Sequence, residues 1–156
     1  MTLAFVLRWL HIIGATMLLG TGAGIAFFML MAHRTRDARF IAATGEVVVT
    51  ADFLFTATAV LVQPVTGYGL ARILGWPLTT PWLLESLVLY VFTGACWLPV
   101  VAIQMRLRDL ARDAATRGEP PGAHYERLFR LWFALGIPAF AAVLRILWLM
   151  VSRGAA

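Results

Sequence analysis

The chain has 156 residues, of which 61% are apolar and 13% charged, whereas soluble domains carry about 25% charge. Folded as a soluble globule, it would have too few polar residues to cover its surface, and its length admits one domain. Its net charge is +5 and all thirteen basic residues are arginine; these lie at the ends of apolar runs, which points to anionic lipid headgroups and excludes nucleic acid as the partner. Cys96 is the single cysteine, so an intrachain disulfide and a thiolate-cluster metal site are both excluded.

Four apolar runs stand out, each near the ~20 residues that carry a helix across a ~30 Å hydrocarbon core. The first covers 3–31, and from Trp9 to Met31 it holds no Asp, Glu, Lys or Arg. It is too long for a signal peptide and no small-residue cleavage site follows, so it reads as an uncleaved span. The connector His33–Arg39 is polar. The second span covers 42–72 and is interrupted by Gln63 and Pro64; membrane helices tolerate such a proline with a bend. Gly75, Trp76 and Pro77 mark the next turn. The third span covers 82–105, with Pro99 inside it, and Arg106–Gly118 predicts a helical extension out of the membrane. Glu119–Gly122, EPPG, breaks it. The fourth span covers 128–152, with Gly136 and Pro138 as a kink. The fold predicted is an all-α, four-helix antiparallel membrane bundle, a single domain over 1–156.

Arginine placement sets the expected orientation. Arg34, Arg36 and Arg39 lie in the first connector. Arg106, Arg108, Arg112, Arg117 and Arg127 lie in the third, with Arg130 at its edge. The second connector holds Arg72 and the carboxyl end Arg153. The basic connectors are expected on the cytoplasmic side of a bacterial inner membrane, with both termini outside. Trp9, Trp76, Trp82 and Trp148 then fall at the outer interface, where such rings are favoured.

Ionisable groups inside a bilayer are costly, about 2.5–3.5 kcal/mol for a charge at the centre on insertion scales, so each needs a reason. Arg8, His11, Gln63, Glu85 and Arg145 fall in the outer half. Asp52 falls in the inner half, and Gln104 is a further uncharged polar residue. His11 shares a helix face with Arg8. A neutral imidazole can ligate haem iron or relay protons, or simply bond a neighbouring helix. His33 and His124 lie in connectors on the opposite side. A haem at His11 therefore needs another kind of second ligand, an open position or a second subunit. Glu85 and Arg145 can pair across helices three and four, with Arg8 competing; alternatively Arg145 snorkels and Glu85 interacts with the helix dipole. Arg8 and Arg145 are also suited to holding haem propionates or a lipid phosphate. Asp52 lacks a basic partner at its depth and is expected either to be protonated or to bond residues such as Thr21 or Gln104, as structural glue or as a proton-transfer group. Gly20 and Gly24 have the spacing that lets membrane helices approach closely.

LHIIGATMLLGTGAGIAFF, VVVTADFLFT, QPVTGYGL, CWLPVVAIQMRLRDLA and LWFALGIPAF together resemble a bacterial family of small integral membrane proteins known as domain of unknown function 2269, over nearly the whole chain. The resemblance implies the fold. Leu10, His11, Ile12 and Ile13 are more distantly similar to an early-helix pattern of HemJ-type and CopD-type membrane haem or copper proteins, which implies His11 as a haem ligand. The HemJ-type pattern also calls for a lysine in the third helix, and this chain has none. The function expected is that of a non-catalytic or accessory inner-membrane protein binding haem b through His11, in electron transfer or as an anchor for a partner or a second copy. The alternatives are a membrane oxidoreductase acting on a porphyrin or quinone, and a small transporter subunit.

Overall fold

A computed structural model describes residues 2–152; Arg153 lies outside them. Four helices, α1 (Leu3–Thr35), α2 (Ala38–Ile73), α3 (Pro81–Arg117) and α4 (Ala123–Ser152), are each long and apolar enough to cross a membrane. Their neighbours run antiparallel and no strand occurs among the described residues. At 1.5 Å per residue they are ~45–55 Å long, more than a hydrocarbon core requires.

The chain's punctuation explains these boundaries. Thr2 caps α1, its hydroxyl accepting from the Phe5 N–H. Arg36 ends the helix in the left-handed region at φ 59°. Asp37 at once starts α2 by accepting from the Arg39 and Phe40 N–H groups, as short acidic side chains do at helix starts. The first connector is therefore a two-residue turn, and α2 begins at Ala38, earlier than the hydropathy alone places it. Gly75 at φ 71° follows α2, and the Trp76 N–H closes on the Ala71 carbonyl. Pro81 opens α3, where the missing N–H costs nothing; Gly118 at φ 69° closes it. The extension after Arg106 is helical to Arg117.

Two features interrupt α2. Residues Asp52–Thr56 form a π-helical turn, with the Ala57 N–H reaching back to the Asp52 carbonyl. Pro64 lies inside the helix without ending it. Proline leaves the carbonyl four residues earlier without its N–H donor, and here that carbonyl belongs to Val60. The Tyr90 hydroxyl of α3 donates to it. The proline is tolerated because a neighbouring helix supplies the missing donor.

The end bearing the first and third connectors is called the arginine end below, and the other the terminal end. The hydrophobic core lies toward the arginine end, where Ile25, Met29, Ala32, Ile41, Ala42, Val48, Leu107, Ala111, Tyr125, Phe129 and Trp132 form one buried cluster from all four helices. A Cβ on Gly45 would sit 2.9 Å from Arg108 Cβ, so α2 and α3 touch there almost backbone to backbone. The close approach expected at Gly20 and Gly24 does not occur between helices of this chain: a Cβ at either position would meet nothing within 4 Å. The GTGAG stripe faces outward, because residue spacing fixes a common face but not which face of α1 turns inward.

Candidate functional site

At the terminal end, α1 packs on the second half of α2, and glycines bring the two together. A Cβ on Gly69 would lie 2.9 Å from Leu7, one on Gly67 3.1 Å from His11 Cε1, and one on Gly14 3.2 Å from Gln63 Nε2. Into this seam the sequence places His11, Gln63 and Thr66. His11 Nδ1 and Thr66 Oγ1 are 2.9 Å apart. Gln63 Nε2 donates to the His11 carbonyl at 3.0 Å. The Thr66 hydroxyl has a single proton and also lies 2.8 Å from the Val62 carbonyl and 3.2 Å from the Gln63 carbonyl of its own helix. When one of these carbonyls takes that proton, His11 Nδ1 donates to Thr66 and Nε2 keeps the lone pair; in the other tautomer Thr66 donates to Nδ1. In either case Thr66 holds the ring plane.

Gln63 and Thr66 lie on one buried face of α2 that also includes Asp52, Thr56, Ala59 and Leu70. These positions follow the three- and four-residue spacing of one helical face. Asp52 is 4% exposed and sits at the start of the π turn. Its carboxylate accepts from Trp97 Nε1 of α3 at 3.3 Å, not from Thr21 or Gln104. Gln104 is 0% exposed, and its Oε1 accepts from Trp132 Nε1 at 3.3 Å. The two indoles, which sequence spacing did not single out, are thus the partners of the two polar residues nearer the arginine end.

Glu85 and Arg145 pair across α3 and α4, with Arg145 Nε donating to Glu85 Oε1 at 2.8 Å. Both are partly exposed on the flank of that hairpin. Arg145 lies ~10 Å from the end of α4, within reach of headgroups for a long side chain. Arg8, one turn from His11, is exposed. Trp9 and Trp148 are exposed at this same end, and Trp76 meets Trp82 edge-on at 5.3 Å.

The arginine end carries a different constellation. His33 stacks on Phe129 with ring centroids 3.7 Å apart. Its Nε2 lies 3.9 Å from Glu126, which also accepts from Arg36 at 3.2 Å. Arg112 pairs with Glu46 across α3 and α2. Such exposed pairs are worth about 0–1 kcal/mol each; they orient connectors more than they stabilise the bundle. His33 is thus far from His11, at the other end of α1. Among the described residues no three or more His, Cys, Asp or Glu side chains gather to hold a metal ion.

Thr66, Gly67, Tyr90 and Trp97 complete these arrangements. Two had a signal in the sequence. Thr66 shares the face of Gln63, and Pro64 guarantees an orphan carbonyl at Val60. Neither signal identifies the partner on another helix.

The chain belongs to the family described as "Predicted integral membrane protein (DUF2269)", whose model matches residues 5–154. It is an integral membrane protein in contact with the lipid bilayer. No curated protein and no solved structure matches it.

Proposed function

We propose that this protein is a haem b-binding protein of a bacterial inner membrane, with His11 as the residue that would hold the iron and both termini outside the cytoplasm. The observation that carries the proposal is the His11–Thr66 bond. A ligating histidine needs its second ring nitrogen held by a hydrogen bond, which fixes the tautomer and raises the basicity of the other. Thr66 supplies that hold, and Gly67 keeps α2 close enough for it. The orientation rests on the arginine-rich connectors at the opposite end, which also suit anionic headgroups there.

The donor chemistry fits the group. A neutral His11 has one ring nitrogen able to ligate iron, and Arg8 is an exposed cation of the same end suited to a carboxylate, as is Arg145 if a propionate takes the place of Glu85. Bound haem would supply a one-electron couple. This chain's part would be to orient the imidazole through Thr66, with Gln63 holding the His11 backbone. The distant likeness around Leu10–Ile13 to membrane haem proteins supports the same assignment. With one histidine at that end and none of the third-helix lysine that the HemJ-type pattern calls for, we assign an electron-carrying or accessory role and not an enzyme of porphyrin oxidation.

Absorption spectra of the detergent-purified protein, expressed with haem precursor and recorded oxidised and dithionite-reduced, test this. A Soret band that disappears in a folded His11→Ala variant and shifts in Thr66→Val is the expected result. A colourless, folded wild type would overturn the assignment.

A further inference from the structure

The buried face of α2 raises a question that the His11 site does not answer. Residues 12–32, 47–71, 86–105 and 131–144, one stretch from each helix, together contain a single side chain that is ionised in neutral water, Asp52. The other titratable groups there are Tyr68 of α2 and Tyr90 and Cys96 of α3; α1 and α4 contribute none. Asp52 is buried within a bundle otherwise solvated by lipid, and its one described side-chain partner on another helix is an indole N–H. Among the described residues no cation pairs with it.

Structural glue would account for a polar face whose members satisfy one another. This one does not close on itself. Gln63 donates to the His11 carbonyl, yet its Oε1 is buried without a protein partner. Gln104 accepts from Trp132, yet its Nε2 is buried without one. Buried polar atoms of this kind are satisfied by internal water. The two lie on either side of Asp52, Gln63 toward the terminal end and Gln104 toward the arginine end. From Asp52 to Gln63 is ~16 Å along α2, with the buried Thr56 hydroxyl on the same face between them. Beyond Gln104 the series continues to the Tyr125 hydroxyl, which is also buried without a partner, and to His33 at the helix end.

We propose that this interior polar face conducts protons across the membrane, with Asp52 as the group that takes them up and releases them. A carboxylate is suited to that place because binding a proton removes its charge, the form a low-dielectric interior favours. In each passage a hydrated proton on one side is transferred to a carboxylate oxygen of Asp52, leaving water. The O–H bond then breaks toward water on the other side, and the carboxylate is restored. The π turn places the carboxyl at the point where α2 meets Trp97, so the indole N–H steadies the ionised form between transfers. Such turns recur at functional positions in helices. The proposal does not rest on haem at His11.

The test uses the full chain reconstituted into potassium-loaded phosphatidylcholine–phosphatidylglycerol vesicles containing a pH-sensitive dye. Valinomycin lets potassium leave, which sets an inward potential and compensates the charge of entering protons. Wild-type vesicles should acidify faster than protein-free ones. Asp52→Asn, which keeps an oxygen for Trp97, should fall to the protein-free rate, while Asp52→Glu keeps conducting. Should Asp52→Asn not fold, a hydrophobic carbodiimide on the wild type gives the same reading: mass spectrometry locates the adduct on Asp52, and flux should fall as labelling rises. Acidification no faster than in protein-free vesicles overturns the proposal. So does flux that persists in folded Asp52→Asn or in protein fully labelled at Asp52.

Discussion

The two ends of this bundle are held together by different means. At the arginine end, aromatic and aliphatic side chains from all four helices interlock around Met29, Leu107, Tyr125 and Trp132. At the terminal end, the helices associate as two hairpins, α1 with α2 and α3 with α4. Glycine contacts and hydrogen bonds through His11, Gln63 and Thr66 do the holding in the first pair. An ion pair, Glu85–Arg145, spans the second. In lipid an apolar side chain gains little by leaving the acyl chains for a protein interior. Close packing and polar bonds must therefore drive association, and each end of this protein relies mainly on one of the two. The packed end is suited to anchoring the fold, and the polar end to presenting chemistry.

The sharpest way to break that contrast is to disrupt the packed end at its closest approach. Leucine at Gly45 would drive a side chain into Arg108, with Cβ 2.9 Å from Arg108 Cβ and 3.3 Å from its Cα. Neither helix can yield without separating. Overpacking of this kind costs about 1–3 kcal/mol, and we expect Gly45→Leu at the upper end of that range. Its unfolding in detergent, followed by circular dichroism against temperature or added SDS, should shift well below wild type. A variant as stable as wild type would show that the arginine end is not the anchor.

Two tyrosines offer a finer comparison, since each carries one hydroxyl into the interior. That of Tyr90 caps the Val60 carbonyl left open by Pro64; that of Tyr125 has no protein partner. Tyr90→Phe should destabilise by about 1 kcal/mol, because a carbonyl within the bundle loses its donor. Tyr125→Phe removes a hydroxyl that bonds no other protein group, so it should be close to neutral by the same measurement. Equal effects would mean that the bond to Val60 is not what lets α2 pass through its proline.

The parts of this structure written locally were legible in the sequence. Runs of apolar residues define the helices, and Gly75, Pro77, Gly118 and the EPPG segment define the turns, because hydropathy and backbone preference act over a few neighbouring residues. The Glu85–Arg145 pair was also legible, since the two charges lie at matching depths on adjacent antiparallel helices. The pairings of Asp52 and Gln104 were not. Depth limited their partners to a handful of side chains, and an indole N–H on α3 or α4 competes with any amide or hydroxyl at the same level. The π turn was equally hidden, since no residue type in DFLFT demands it. The close approach at Gly45 has no local signature either, since a single glycine before a valine run carries no spacing pattern, whereas Gly20 and Gly24 have the spacing but face outward.

That contrast between glycines yields the smallest expected effect. Within one chain a side chain at Gly20 meets open space, so Gly20→Leu should change the stability of the bundle by no more than about 0.5 kcal/mol. It also replaces a poor helix former with a good one, which works in the stabilising direction. Unfolding in detergent should therefore match or slightly exceed wild type, in contrast to the loss at Gly45. A strong destabilisation would mean that something packs on this face after all. Light scattering on both proteins would then separate the two sources: a fall in mass with the loss of stability identifies a second copy seated on α1, and an unchanged mass returns the contact to the chain itself.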